Sequence, residues 1–219
     1  MPIEYLLSEE LAAELAGLID PEKAAENLPV FDEVPHRDTV YITVVDSDRN
    51  AVSFINSIFF PYGSGLMAPK SGVLLHNRGM SFSMDANHPN AIAPGKRPMH
   101  TIIPGMVRKD GRTVMPFGVM GGQYQAMGHA HFLSKMLDYG LDPQEAIDLP
   151  RLFPLPGTNI VEMETRLRET LGPEFERRGF VVQEPESPIG GAQAIWIDWE
   201  RGVLLGGSDP RKDGFALGI

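Results

Sequence analysis

Residues 39–60 read TVYITVVDSDRNAVSFINSIFF, and this stretch decides the fold. Val40, Ile42 and Val44 alternate with Thr39, Tyr41 and Thr43, the period of two that sends successive side chains to opposite faces of a β-strand. DSDRN at 46–50 supplies turn-forming residues, and AVSFINSIFF resumes a β-branched and aromatic run. The spacing predicts an antiparallel hairpin belonging to a larger sheet.

Downstream lies a Gly/Pro-rich section with YGSG at 62–65, a short strand GVLLHN at 72–77 and a long polar loop from Arg78 to Pro98. Thr101 to Arg108 and Thr113 to Val119 flank the turn Lys109–Asp110–Gly111 and read as a second hairpin. Gly121 and Gly122 end that strand and open a helix over Gln123–Tyr139, with Gly140 as its stop. Asp142, Pro143 and Glu145 form a helix start of capping-box type. A charged helical stretch from Glu162 to Arg178 is expected to break at Gly172–Pro173 and end at Gly179. GAQAIWIDWE and GVLLGGSD close the chain as a strand pair.

Upstream, Ser8 caps a helix whose apolar positions are Leu11, Leu15, Leu18 and Ile19. Asp20 followed by Pro21 starts a second short helix through about Asn27. PVFDEVPHRD at 29–38 is an extended linker. Strands, one central helical segment and strands again predict an α+β protein, an antiparallel sheet covered by helices.

Composition narrows the function. The 219 residues suffice for one large domain. A net charge of −10 leaves no basic field to offset phosphate repulsion, so neither nucleic acid nor an anionic membrane is an expected partner. The absence of cysteine removes disulfides, thiolate metal sites and thiol nucleophiles together. No apolar run reaches the roughly 18 residues of a membrane span. Glu4, Glu9, Glu10 and Glu14 interrupt any signal-peptide core, so a cytoplasmic location is expected.

Candidate chemistry is sparse. His129 and His131 lie two apart on a predicted helix, where they do not share a face, and no third ligand stands at metal spacing. GVMGG at 118–122 sits between strand and helix, where free N–H groups favour negative charge; it reads either as a tight turn or as an oxyanion hole. No GxSxG is present. Thr39 stands where the proline-bearing linker meets the first strand. It is an ordinary β-former there unless the Asp38–Thr39 bond is cut. Its α-amine, of ordinary pKa about 7.7–8.0, could then act as base for its own hydroxyl.

Six segments in order resemble the small, C-terminal subunit of γ-glutamyltransferases: TVYITVVDSDRNAV, YGSGLMAPKSGVLLHNRG, PNAIAPGKRPMHTIIP, GVMGG, LDPQEAIDLPR and GGSDPRKDG. The resemblance runs over residues 39–219 and is nearest to the γ-glutamyltransferase-like branch of bacteria and archaea. It implies the four-layer αββα sandwich of N-terminal-nucleophile (Ntn) hydrolases, a precursor cleaved between Asp38 and Thr39, and Thr39 as nucleophile. It also implies Ser57 as the assisting hydroxyl, in place of the usual threonine, and Gly121 and Gly122 as the oxyanion hole. The substrate positions depart from the family. Its glutamate-binding asparagine falls on Phe59, its glutamine on Arg78, its ammonium-binding aspartate on Ser81 and its serine pair on His100 and Thr101.

A neutral Ser81 cannot replace a carboxylate in a charge-assisted bond. The resemblance therefore implies a glutathione-hydrolase-like or cephalosporin/glutaryl-acylase-like amidohydrolase or acyltransferase, without metal or cofactor, whose acyl group is more apolar or anionic than γ-glutamyl. Residues 1–38 correspond only to the tail of the large subunit and the linker, with 39–219 as the catalytic domain. The large subunit is thus the expected partner, in a heterodimer or a dimer of heterodimers, covering an apolar face that this chain alone would expose. The alternative is an inactive remnant that binds or assembles.

Overall fold

The computed structural model describes residues 3–26 and 38–219. They divide into two compact units, Met1–Glu33 with Pro150–Glu186, and Val34–Leu149 with Ser187–Ile219.

In the first unit, helix α1 (Ile3–Leu6) precedes α2 (Glu9–Gly17), and Ser8 Oγ accepts the Leu11 N–H at 3.1 Å as the expected N-cap. Residues 20–26 form bends rather than the expected second helix. The Asp20 side chain holds the Glu22 N–H locally (2.8 Å) and the Ala24 N–H goes to the Arg178 carbonyl (2.7 Å), so this backbone is satisfied without helix bonds. Asn27 and the linker up to residue 37 lie outside the described residues.

The second unit opens with the hairpin β1 (Asp38–Val45) and β2 (Ala51–Phe59). β3 (Gly105–Lys109) and β4 (Arg112–Met120) lead into helix α3 (Tyr124–Leu137) and the short helix α4 (Pro143–Asp148). The chain then returns to the first unit. There β5 (Leu152–Pro154) pairs antiparallel with β6 (Ile160–Met163), and helix α5 (Thr165–Arg177) crosses over to β7 (Val181–Gln183), parallel to β6. Finally β8 (Gly191–Asp198) and β9 (Val203–Ser208) complete an antiparallel sheet of order β3-β4-β8-β9 in the second unit.

Three expectations fail here for local reasons. GVLLHN contributes one bridge, Leu74 to Met67, because the loop pairs with itself: Ala68 with Val73 and Leu66 with Leu75. Thr101–Pro104 is not strand. The Ile103 N–H is taken by the Gln125 side chain at 3.0 Å, so the ladder starts at Gly105. Glu162 belongs to β6, and α5 runs through Gly172–Pro173 without a break. A proline crowds the Cβ of the residue before it, and Gly172 has none.

The second unit is layered. The hairpin lies on one face of the four-stranded sheet: the Tyr41 ring occupies the space over Gly118 that a Cβ would fill, and Ser53 Oγ donates to the Phe117 carbonyl at 3.3 Å. Helix α3 packs on the other face, stacking Phe132 on Phe117 (5.8 Å) and bringing Gly128 against Val119. Met115, Val119, Ile147, Ala192, Ala194 and Ile197 fill the core.

Candidate active site

The nucleophile expected at Thr39 sits at a defect in the hairpin. Asp38 pairs with Phe59 and Val40 with Asn56, so Ser57 and Ile58 together stand opposite the single residue Thr39. A β-bulge of this kind bends the strand and re-aims side chains. Here it turns two hydroxyls toward each other, and Thr39 Oγ1 donates to Ser57 Oγ at 3.3 Å. Phe59 completes the bulge with φ at 82°, in the region that bulky residues avoid. It is fully buried, and its N–H donates to Ser57 Oγ at 3.1 Å.

A third donor reaches the same oxygen. Arg78, in a 3-10 turn over Arg78–Ser81, is 2% exposed and donates from Nη2 to Ser57 Oγ at 2.9 Å. Nη1 makes a longer contact to Thr101 Oγ1 at 3.5 Å, and the guanidinium lies 4.9 Å from the centroid of the Phe59 ring. Burial pulls its pKa down from the usual arginine value. A hydroxyl oxygen has two lone pairs. Three donors converge on Ser57, so once the Thr39 oxygen loses its proton, the Ser57 O–H is placed to turn and donate to it.

Gly121 and Gly122 are set by the β4–α3 turn, with φ of 128° and 58°. A Cβ on Gly121 would meet the Gly190 Cα at 2.9 Å, so both backbone conformation and space demand glycine there. The turn is joined to the side of Thr39 by Gln125, in the first turn of α3. Its Oε1 holds Ile103, two residues beyond Thr101, while Thr101 contacts Arg78 and Arg78 contacts Ser57. Sequence reasoning missed Gln125 and the bulge. The change from alternating residues to the consecutive apolar run Ile58–Phe59–Phe60 was the available signal for the bulge.

The remaining substrate positions divide. Thr101 is buried beside Arg78. Ser81 is buried but turned inward, its hydroxyl donating to the carbonyls of Arg78 (2.9 Å) and Met99 (3.1 Å). His100 is exposed, with Nδ1 2.8 Å from the Pro98 carbonyl, and no described contact joins it to this cluster. His129, weighed above for metal, points into the core, where Nε2 accepts the Val119 N–H at 3.2 Å.

The family described as Gamma-glutamyltranspeptidase matches residues 1–219. Over its whole length the chain is 39% identical to the glutathione hydrolase-like YwrD proenzyme of Bacillus subtilis, of which it covers 42%. It is 36% identical to the oxamate amidohydrolase proenzyme of Klebsiella pneumoniae, with 99% of this chain and 42% of that one aligned. Among solved structures, the cephalosporin acylase from Bacillus halodurans superposes with a TM-score of 0.88 at 41% identity, over 98% of this chain and 39% of that one. A gamma-glutamyltranspeptidase chain from Pseudomonas nitroreducens matches with a TM-score of 0.74 at 25% identity, 82% of this chain covering 98% of that one. The chain thus spans about two-fifths of the length of the curated relatives it matches.

Proposed function

The chain belongs to the gamma-glutamyltranspeptidase family, and on that premise we propose that it is the nucleophile-bearing portion of an N-terminal-threonine amidohydrolase. The observation that carries the proposal is the Thr39–Ser57–Arg78 cluster at the bulge. A threonine hydroxyl at the second position of β1 is held against a second hydroxyl, which a buried cation polarises.

In the precursor, Thr39 Oγ1 attacks the Asp38 carbonyl carbon. The Thr39 nitrogen leaves with a proton as the free α-amine, and water cleaves the resulting ester, releasing the Asp38 carboxylate and restoring the Thr39 hydroxyl. That amine then takes the hydroxyl proton when Oγ1 attacks a substrate amide. The N–H groups of Gly121 and Gly122 hold the tetrahedral oxyanion, each such donor typically contributing ~2.7–4 kcal/mol. Proton transfer to the departing amine leaves an acyl ester on Thr39, and water or an acceptor amine releases the acyl group. The share of this chain matched to the Pseudomonas nitroreducens protein, 82%, is close to the roughly 83% that residues 39–219 represent and so agrees with a boundary near this bond.

The partner portion, corresponding to the remainder of the relatives, supplies the rest of a four-layer αββα sandwich, with residues 1–38 as its tail and linker. The hairpin's bare outer face favours such a partner, with Val40, Ile42, Val44, Val52 and Phe54 each 47–53% exposed. The relatives' names, glutathione hydrolase-like, oxamate amidohydrolase and cephalosporin acylase, agree on amide hydrolysis and differ in acyl group.

The test is intact-mass spectrometry of the chain purified with its partner portion. The expected result is cleavage between Asp38 and Thr39 in wild type, none in Thr39→Ala, and a transient acyl adduct on the piece beginning at Thr39. An uncut wild-type chain that hydrolyses amides as well as Thr39→Ala does would end the proposal in favour of a binding or assembly module.

A further inference from the structure

Arg78 carries a charge that its described surroundings do not balance. Of its five N–H donors, one meets Ser57 Oγ and one makes the long contact to Thr101 Oγ1, while Phe59 covers one face. Both acceptors are neutral. Among the described residues no carboxylate pairs with Arg78, although its side chain is buried. An unpaired charge is strongly unfavourable at such a site. A buried guanidinium left this way beside a nucleophile is complementary to an anion that arrives with the substrate.

Resting on the reading of Thr39 as nucleophile, we propose that Arg78 is the receptor for a carboxylate on the acyl group. The substrates are then monoamides of short dicarboxylic acids that lack an α-ammonium group. The spacing limits the acyl length. Contacts of 2.9 Å and 3.3 Å laid end to end keep Nη2 within roughly 6 Å of Thr39 Oγ1. With the scissile carbonyl over Oγ1 and a carboxylate oxygen over the guanidinium, about 1.3 Å of reach per carbon–carbon bond admits at most about three intervening carbons. The charge pattern excludes the ammonium. Ser81, its hydroxyl hydrogen turned to the carbonyls of Arg78 and Met99, is neutral and offers no charge to pair with such a group, and the guanidinium repels it. In each turnover the bond from Thr39 Oγ1 to the acyl carbon forms as the amine departs. Water then cleaves that ester, releasing the free dicarboxylate.

The test uses the chain assembled with its partner portion and compares kcat/KM for succinamate and glutaramate with that for butanamide and pentanamide. Glutamine, which is glutaramate bearing an α-ammonium, is included. Wild type should favour the two carboxylate amides over all the others. Arg78→Met should reduce that preference by roughly 10- to 100-fold, chiefly through KM, as expected for loss of a charged hydrogen-bonding partner, and Arg78→Lys should restore part of it. An unchanged preference in Arg78→Met would mean that the arginine only positions Ser57, and a preference for glutamine would likewise overturn the proposal. If no amide is turned over, the reading of Thr39 fails by itself. Calorimetric titration of succinate and glutarate into the same assembly then decides for Arg78: saturable binding lost in Arg78→Met upholds the receptor, and no binding removes it.

Discussion

His129 is 9% exposed, its ring 4.8 Å from that of Phe117 and its Nε2 accepting the Val119 N–H at 3.2 Å. Only the neutral ring can accept, and burial lowers its pKa from the ordinary 6.5. The unfolded chain therefore takes up a proton as the pH falls through about 6.5, while the folded chain resists it. Stability linked to His129 is complete above that value and is lost progressively below it. Val119 stands two residues before Gly121, so this acid sensitivity falls on the strand that delivers the glycine turn. Thermal unfolding at pH 7.5 and 5.5 should show a larger drop for wild type than for His129→Gln, which keeps an acceptor oxygen but cannot titrate. Equal drops would show that protonation of this ring does not govern acid stability. The same scale explains why the hairpin cannot be regular at Thr39. Phe59, at φ 82°, gives up a relaxed backbone to place its N–H on Ser57 and its ring under Arg78.

Helix α4 is short, and its start is correspondingly well built. Asp142 Oδ1 accepts the Glu145 N–H at 2.8 Å, Glu145 Oε2 accepts the Asp142 N–H at 3.0 Å, and Pro143 occupies the first turn. Six residues cannot sustain a helix by propensity, so the box and the burial of Ala146 and Ile147 under the sheet hold it. Asp142→Ala should lower stability by about 1 kcal/mol, seen as a reduced denaturant midpoint with an unchanged m-value. Elements like this were legible because their signals are local. The same holds for the Ser8 cap, the helix after Gly122, the β1–β2 turn and the final strand pair. What escaped was non-local: β5 and β7 have three residues each and exist through pairing with β6. The candidate site divides likewise. Motif resemblance pointed to Thr39, Ser57 and the glycine pair, whereas the convergence of three donors on Ser57 needs a bulge and a loop that meet only in the folded chain.

On the scale of the molecule, the hairpin is inside out for a free-standing domain. Its inward face toward the four-stranded sheet carries Tyr41, Ser53 and Ser57, with Tyr41 Oη and Ser53 Oγ 2.7 Å apart, while Val40, Ile42, Val44, Val52 and Phe54 point away from it. Full burial of such a side chain contributes about 1.5–3 kcal/mol, so covering the exposed half of five gives on the order of 5 kcal/mol. That is enough to drive assembly with a portion that supplies the missing layer, and enough to make the uncovered chain associate with itself. A carboxylate at the centre of this face would lose its hydration on assembly without gaining a partner. Phe54→Asp and Val44→Asp should therefore each weaken copurification with the partner portion by at least tenfold. They should also lower the self-association of the isolated chain, as read by light scattering. Both substitutions lie on the face opposite Thr39 and Ser57, so any loss of amide hydrolysis in them should be recovered by raising the partner concentration. Wild-type affinity in both variants would mean that the outer face of the hairpin is not where the proposed partner portion docks.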